Sequence, residues 1–302
     1  MKYTLRLTIF LSSALLGLPI IVSATQVNSK PMNKSKTGSS KTRALDELVD
    51  VRDRRLYIKC MGKGSPTVIL EAGLGGSSAD WDKVTPAVGK FTRVCSYDRA
   101  GRGKSDPAPQ PRTGQQIIDD LRTLLANAGE SGPYVLVAHS FGGMYAILYA
   151  NKYSTDIVGM VLVDSSHEDQ TARYEAIMTP EQVKQSRERR AKNAEGVDTD
   201  AIREEVKAAR WRTDIPLYVL VHGRVTPDMI PPGWSSAQMA IRQQVWREMQ
   251  ADLARRSSNS KMVIAEKSGH YIQDDQPELV IDAIKQVVVS ARKNMKKAGR
   301  QK

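Results

Sequence analysis

A serine that follows a short apolar run is the first residue whose setting suggests chemistry. Residues 134–138 are Tyr-Val-Leu-Val-Ala, and Ser140 follows with Ala138 two positions before it and Gly142 two positions after it. Small residues are needed at both positions where a strand turns sharply into a helix and exposes a nucleophilic serine on a strained backbone. Ala138 stands where a glycine is more usual, and the match alone is weak. The strand-like run before it and the helical pattern after it favour Ser140 as a nucleophile.

A serine nucleophile needs a base, which is usually a histidine held in the right tautomer by a carboxylate. The chain has four histidines. We expect His139, next to the serine, to point away from it at such a turn, and His222 to end a strand in a structural role. His167 lies near a carboxylate candidate but precedes the last two predicted strands. His270 follows the last predicted strand, and Gly269 allows a sharp turn before it, so His270 is the predicted base.

The elements that must position these residues alternate along the chain. From residue 55 onward, short apolar runs bounded by Gly, Pro or Asp alternate with stretches of helical period, which is typical of a parallel sheet with crossover helices. Runs without polar alternation indicate strands buried on both faces. The predicted strands are Leu56–Cys60, Thr67–Glu71, Thr92–Tyr97, Tyr134–Ala138, Ile157–Val163, Leu217–Val221 and Lys261–Ala265. The predicted helices are Gln115–Ala128, Gly143–Asn151 and Pro277–Ser290.

Residues 165–213 interrupt this alternation, because they are charged and helical with no strand candidate among them. Such an insertion is expected to form a cap over the site. Charge runs of this kind are also typical of an ordinary solvated helical excursion, and both interpretations stay open.

With these elements in place, the chain resembles the α/β-hydrolase superfamily over residues 55–290. The resemblance rests on the serine turn and on three further segments: Val-Ile-Leu-Glu-Ala-Gly-Leu-Gly-Gly at 68–76, Ser-Tyr-Asp-Arg-Ala-Gly-Arg-Gly-Lys-Ser-Asp at 96–106 and Ser-Gly-His at 268–270. It implies a mostly parallel sheet of the eight-stranded type, flanked by helices, with a short helical cap.

The resemblance also implies an oxyanion hole formed by the backbone N–H groups of Leu74 and Phe141. Ala72 stands where many members have a histidine, a departure that affects support of the loop more than the identity of the donors. The glycine-containing segment at 97–106 is expected to brace the site, with no catalytic role for its Asp98 and Arg99.

The acid of the triad has two candidates. Most members of the superfamily place it after the strand before the last, where this chain has Thr226, with Asp228 two positions later. A minority uses the end of the strand that precedes the cap, where this chain has Asp164. We favour Asp164 and keep Asp228 as the alternative; a loop cap at Asp164 and a turn residue at Asp228 are the non-catalytic interpretations.

Two cysteines, Cys60 and Cys95, form an even count that permits a disulfide in an oxidising compartment. Buried free thiols are the other interpretation. The superfamily's strand order makes the two strands that carry them neighbours, which favours the disulfide. The cysteines and histidines show no zinc-ligand spacing, and no metal site is predicted.

The two ends of the chain differ in character from its middle. Residues 1–24 combine Lys2 and Arg6 with an apolar run that ends at Val-Ser-Ala, which predicts a secretory signal cleaved after Ala24, or an uncleaved anchor. Residues 25–44 indicate a disordered basic linker, residues 45–290 the hydrolase domain and residues 291–302 a basic tail. The expected location is periplasmic or extracellular.

The net charge of +12 lies in these ends, so residues 45–290 are nearly neutral. This distribution argues against a nucleic-acid partner. It allows weak contact of the basic tails with an anionic membrane or cell wall. The sequence leaves the oligomeric state open.

The predicted function is a serine hydrolase that cleaves a carboxylic ester of a small acyl substrate through an acyl-enzyme, with no cofactor. A peptidase or amidase acting on small peptides is the alternative, followed by a non-enzymatic binding protein of the same fold. A serine nucleophile argues against the dehalogenases and epoxide hydrolases of this fold, because those enzymes form an alkyl ester on a carboxylate.

Overall fold

The computed structural model describes residues 43–300. The predicted signal at 1–24 and most of the predicted linker lie outside the described residues. In chain order the strands are β1 (Leu45–Val51), β2 (Arg54–Met61), β3 (Thr67–Glu71), β4 (Val94–Tyr97), β5 (Tyr134–His139), β6 (Ile157–Val163), β7 (Leu217–His222) and β8 (Ser260–Ala265). The helices are α1 (Thr85–Val88), α2 (Gly114–Asn127), α3 (Gly142–Lys152), α4 (Gln170–Glu175), α5 (Pro180–Ala191), α6 (Thr199–Ala208), α7 (Ser236–Arg255), α8 (Ile272–Asp275) and α9 (Pro277–Gly299).

The eight strands form one sheet in the order β1-β2-β4-β3-β5-β6-β7-β8. Strand β2 is antiparallel to β1 and β4, and all other neighbours are parallel. The predicted fold, a mostly parallel eight-stranded sheet flanked by helices, is confirmed. Because β5 to β8 run parallel, their carboxyl ends meet at one edge of the sheet, where ligands bind in open α/β folds.

Helices cover both faces of the sheet. One core cluster joins the sheet to α2, α3, α6 and α7, and a second joins the opposite face to α1, α8 and α9. Strands β3 and β5 are buried at every residue, as expected for parallel strands between two helical layers. This double cover fixes the strand ends that carry the candidate site.

Besides the short helices α1 and α8, two longer elements lie outside the sequence prediction. Strand β1 has the sequence Leu-Asp-Glu-Leu-Val-Asp-Val, in which acidic residues interrupt the apolar pattern because this edge strand has an exposed face. Helix α7 extends over 20 residues and begins with a capping box between Ser235 and Gln238. Its buried residues are spaced among many Gln and Arg side chains, so its sequence shows no simple apolar stripe.

The insertion at 165–213, which we call the cap, contains α4, α5 and α6 and no strand. A bridge between Arg112 and Val197 connects it to the segment before α2. Helix α9 continues to Gly299, beyond the predicted end at Ser290, so most of the segment predicted as a basic tail at 291–302 is helical. Its Ala291 is buried and Arg292 donates to the Ser65 carbonyl oxygen, which explains why the helix continues. No helix within residues 43–300 has the length and apolar character needed to cross a membrane.

Candidate active site

Ser140 lies at the turn between β5 and α3 with a left-handed backbone, φ 52°. Few residues other than glycine adopt this conformation, and it is characteristic of a strained functional turn. The Ser140 N–H donates to the Val163 carbonyl oxygen at 3.1 Å, which ties the turn to the end of β6. A Cβ on Gly142 would collide with the Ala72 carbonyl oxygen, so the small residue after the serine is required by the neighbouring chain.

A chain of hydrogen bonds leads from Ser140 through His270 to Asp164. The Ser140 Oγ lies 2.9 Å from His270 Nε2, and His270 Nδ1 lies 2.6 Å from Asp164 Oδ2. The distances suit a histidine that donates from Nδ1 to the carboxylate and accepts at Nε2 from the serine. The structure thus brings together the three residues predicted for the triad, and Asp164 is the carboxylate that contacts His270.

Asp164 follows β6 and is fully buried, also with a positive φ of 44°. Besides His270, its carboxylate accepts from the His222 backbone N–H at 3.1 Å, the His222 ring at 2.8 Å and Trp246 Nε1 at 3.0 Å. Burial alone would raise the pKa of this carboxyl, but the hydrogen bonds from His222 and His270 outweigh it and hold the pKa well below its ordinary value. The Asp164 carboxylate is therefore ionised and is held by hydrogen bonds from three residues, His222, Trp246 and His270.

His222 was expected to play only a structural role, and it contacts the Asp164 carboxylate directly. Its ring Nδ1 lies within 2.9 Å of both Asp164 carboxylate oxygens, and its Nε2 lies 2.8 Å from Gln243 Oε1. Burial would lower the pKa of His222, but the hydrogen bond and the charge of Asp164 outweigh it and raise that pKa. The Trp246 ring stacks against it at 5.8 Å.

The remaining histidines do not contact the serine hydroxyl. His139 Nε2 lies 3.0 Å from the His270 carbonyl oxygen, and burial lowers the pKa of His139 to about 3, so the neutral ring donates to that oxygen. It therefore anchors the loop that carries the base. His167 lies 3.1 Å from Asp252 and contacts Arg256, away from the triad.

The alternative acid, Asp228, forms no hydrogen bond to His270 within residues 43–300. It is exposed, in the 3-10 turn Pro227–Met229 after β7, and lies at the rim of the cavity described below. The geometry therefore favours Asp164 over Asp228.

The predicted oxyanion donors lie beside the serine turn. Within the described part of the chain, the N–H groups of Leu74 and Phe141 donate to no other residue. Leu74 belongs to the loop at 72–76 after β3, which we call the oxyanion loop. Arg99 donates to the carbonyl oxygens of Ala72 at 2.8 Å and Gly73 at 2.5 Å. The segment after β4 thus braces this loop, as expected.

A cap residue, Glu195, reaches the same loop. Its carboxylate accepts from the Gly75 N–H at 2.6 Å and from Arg99 Nε at 2.9 Å and Nη2 at 2.5 Å. All of these groups are buried or half-buried. The cap and the oxyanion loop are therefore joined by a buried ion pair, which the sequence did not reveal because Glu195 lies 96 residues from Arg99.

A cavity of about 450 Å³ opens beside Ser140 and His270. Its wall includes Ser140, Asp164, His222 and His270, the cap side chains Gln170, Tyr174 and Arg189, the segment Asp228–Pro232, and Arg242, Gln243 and Trp246 of α7. This volume lies in the range of small-molecule sites. Both the cap and the unpredicted helix α7 form its wall.

Cys60 and Cys95 lie opposite each other in the antiparallel pair of β2 and β4 and form a disulfide, with a Cα–Cα distance of 4.1 Å. Neither residue lines the cavity. The bond is part of the sheet and not of the candidate site.

Comparison with known proteins places this arrangement in a family. The model of the alpha/beta hydrolase family matches residues 68–283. The uncharacterized protein YqjL of Bacillus subtilis is 31% identical over 233 residues, which cover 76% of this chain and 86% of YqjL.

Solved structures share the fold at low sequence identity. An esterase from Thermogutta terrifontis has a TM-score of 0.57 at 21% identity, covering 82% of this chain and 99% of the esterase. A loop variant of a haloalkane dehalogenase from Bradyrhizobium elkanii has a TM-score of 0.59 at 14% identity, covering 85% of this chain and 100% of the dehalogenase. Because the family model matches most of the chain, this protein belongs to the alpha/beta hydrolase family.

Proposed function

We propose that this hydrolase cleaves a carboxylic ester by a serine mechanism. Ser140 Oγ attacks the ester carbonyl carbon while His270 Nε2 accepts the hydroxyl proton, and Asp164 stabilises the imidazolium that forms. The observation that supports this proposal is the hydrogen-bonded chain from Ser140 Oγ through His270 to the buried Asp164, at 2.9 and 2.6 Å, on the wall of a cavity.

The charge that develops on the carbonyl oxygen needs donors, and the N–H groups of Leu74 and Phe141 are available for it. When the tetrahedral intermediate collapses, the ester C–O bond breaks and His270 gives its proton to the leaving alcohol. A water molecule then attacks the acyl-Ser140 ester, with His270 again as base, which releases the acid and restores the hydroxyl.

The residue at the turn distinguishes this chemistry from that of other enzymes with the same fold. A dehalogenase reaction requires a carboxylate that forms an alkyl ester. This chain carries the hydroxyl of Ser140 at the turn, with His270 Nε2 positioned to accept its proton. That pair supports acyl transfer.

The test is covalent labelling of the folded protein with a fluorophosphonate, with Ser140→Ala as the control. We expect labelling of Ser140 in the wild type and none in the variant. An unlabelled wild-type serine in folded protein would contradict the proposal.

A second assay compares 4-nitrophenyl esters with aminoacyl-4-nitroanilides as substrates. Higher kcat/KM for the anilides would replace the ester hydrolase with the peptidase or amidase alternative. We expect the esters to be preferred.

We also propose that the protein is exported to a periplasmic or extracellular location. The support is the charged and then apolar pattern of residues 1–24 together with the Cys60–Cys95 disulfide, since disulfides persist mainly in oxidising compartments. Cell fractionation of the full chain, with N-terminal sequencing of the mature protein, tests the location and the cleavage after Ala24.

A further inference from the structure

Arg242 of α7 lies in the wall of the active-site cavity and is held there by three contacts. Its Nη1 donates to the Met229 carbonyl oxygen at 2.9 Å. Its guanidinium carbon lies 5.0 Å from the centre of the Tyr174 ring and 5.9 Å from that of Trp234. These contacts fix the guanidinium group but use only one of its five N–H donors.

The positive charge of Arg242 has no carboxylate partner within residues 43–300, and the same is true of Arg189, which lines the same cavity from the cap. Several nearby arginines are paired, namely Arg173 with Glu248, Arg190 with Glu175 and Arg256 with Glu168, whereas Arg247 of α7 is exposed and does not line the cavity. Among the described residues, the arginines that line this cavity are thus Arg189 and Arg242, and both are unpaired.

The other charges of the cavity wall limit where an anion can bind. The Asp164 carboxylate is ionised, but it is fully buried and its oxygens accept hydrogen bonds from His222 and His270. Asp228 is exposed at the rim near Tyr271, where its charge adds to the effect of burial in raising the pKa of that phenol. Among the described residues Asp228 forms no ion pair with Arg242, so the Arg242 charge remains available to attract an anionic group.

We propose that the substrate carries an anionic group, such as a carboxylate, that Arg242 binds while Ser140 attacks the ester carbonyl. This inference rests on the proposed serine-hydrolase function and adds a substrate class to it. The planar guanidinium group offers two parallel N–H donors to a carboxylate, a geometry that lysine does not provide.

The test uses two matched pairs of esters, because the anionic group can belong to the acyl or the alcohol part. The first pair is the 4-nitrophenyl monoester of adipic acid and 4-nitrophenyl hexanoate. The second pair is 3-carboxyphenyl hexanoate and phenyl hexanoate. For each pair the measured quantity is the ratio of kcat/KM for the anionic ester to kcat/KM for the neutral one.

We expect Arg242→Gln to lower this ratio by roughly 10- to 100-fold for one of the two pairs, the range for loss of a hydrogen-bonded charge pair. Arg242→Lys keeps the charge but not the two parallel donors, so its ratio of kcat/KM should lie between the ratios of Arg242→Gln and the wild type. Arg247→Gln is the matched control, since Arg247 is an exposed arginine of the same helix that does not line the cavity, and it should keep the wild-type ratio.

The outcomes separate this inference from the proposed function. If Ser140 is labelled by a fluorophosphonate and the esters are cleaved, but Arg242→Gln leaves both ratios unchanged, the anionic subsite is wrong and the serine hydrolase stands. If Ser140 is not labelled, the serine mechanism itself fails.

Discussion

The residue on which the candidate site depends most is Asp164. Three protein groups other than the base donate to its carboxylate, namely the His222 backbone N–H, the His222 ring and the Trp246 indole. Each bond stabilises the ionised carboxylate, and together they fix the oxygen that His270 Nδ1 contacts. This arrangement suits the role proposed for Asp164, which is to stabilise an imidazolium on His270.

Replacement of Asp164 by Asn tests this role. The amide can no longer balance the positive charge on His270 and can hold the ring in the wrong tautomer, so we expect kcat to fall by about 10⁴. Asp228→Asn is the comparison variant, with an expected loss of less than about tenfold, since Asp228 forms no bond to His270 among the described residues. Steady-state kinetics of both variants, after circular dichroism has established folding, gives the answer. Equal losses in the two variants would exclude Asp164 as the orienting acid.

The His222–Asp164 contact predicts a pH-dependent contribution to stability. The pKa of His222 is raised in the folded protein, so its contribution is fully present below the unfolded value of about 6.5 and is lost as pH rises through the folded value. The pKa of Asp164 is lowered, so its contribution is present above about 3.9 and is lost as pH falls further. Both contributions are present between about pH 4 and 6.5.

We therefore expect His222→Asn to lower the free energy of unfolding by about 2 kcal/mol at pH 5 and by less at pH 9. Urea denaturation of the variant and the wild type at the two pH values measures the difference. A loss that is the same at both pH values would mean that His222 acts only through its neutral hydrogen bond.

At the residue scale, the sequence pointed to the three residues that the structure brings within hydrogen-bond distance, because each of them follows a strand end or a glycine turn. Ser140 and Asp164 come at once after β5 and β6, and His270 follows β8 by a short loop. His222, Trp246 and Arg242 were not predicted as site residues. Their contacts with the acid and the cavity depend on the packing of α7 against β7, which no local pattern records.

At the element scale, the cap and the oxyanion loop form one unit. Glu195 accepts from the Gly75 N–H, which follows Leu74, and from Arg99. Arg99 in turn donates to the Ala72 and Gly73 carbonyl oxygens, which precede Leu74. The loop that carries the Leu74 N–H is therefore held by a cap residue as well as by the sheet. A change in the cap is expected to alter how well the oxyanion is bound.

Glu195→Gln tests this connection. The amide keeps one oxygen acceptor but weakens the pairing with Arg99, so the oxyanion loop gains freedom and we expect kcat to fall by roughly 10- to 100-fold, somewhat less than loss of an oxyanion donor itself. The affinity for a boronic acid that forms a tetrahedral adduct with Ser140 should fall in parallel, while KM changes little.

Glu188→Gln, a change in an exposed side chain of α5, is the matched control and should retain wild-type kinetics. Thermal unfolding of both variants shows whether the cap is still folded. A fall in melting temperature with no loss of boronic-acid affinity would mean that Glu195 is structural only.

The sequence predicted the elements unevenly for a physical reason. Strands buried on both faces, such as β5 and β6, are continuous apolar runs and were predicted to within one residue. Strand β1 at the sheet edge and helix α7 have mixed polar faces, so their patterns are weak, and both lie outside the prediction. Since α7 forms one wall of the cavity, the lining of the cavity was the part of the candidate site that could not be predicted from the sequence.

At the scale of the whole molecule, the fold and the chemistry carry different information. Both an esterase and a haloalkane dehalogenase have TM-scores near 0.6 with this chain, although their names give different reactions. The shared architecture explains why strand ends meet at one edge of the sheet, but the reaction depends on the side chains placed there. The proposed ester chemistry therefore rests on Ser140, His270 and Asp164 and not on the overall likeness.

The disulfide gives the last prediction, which concerns the stability of the whole chain. Cys60 and Cys95 are separated by 35 residues and join β2 to β4. Closing a loop of this length in the unfolded chain is expected to stabilise the protein by about 4 kcal/mol. Reduction of the wild type, or the double variant Cys60→Ala with Cys95→Ala, should therefore lower the melting temperature by roughly 10 °C.

Differential scanning calorimetry with and without a reductant measures this shift, and the double variant serves as the control because the reductant should not change its melting temperature. Thiol titration of the unreduced, denatured protein should detect no free thiol. Fluorophosphonate labelling of Ser140 at 25 °C should persist in the reduced protein, since neither cysteine lines the cavity. If reduction exposes two thiols without lowering the melting temperature, the disulfide forms but does not stabilise the fold, and the stability prediction is wrong. The presence of the disulfide would still support an oxidising compartment.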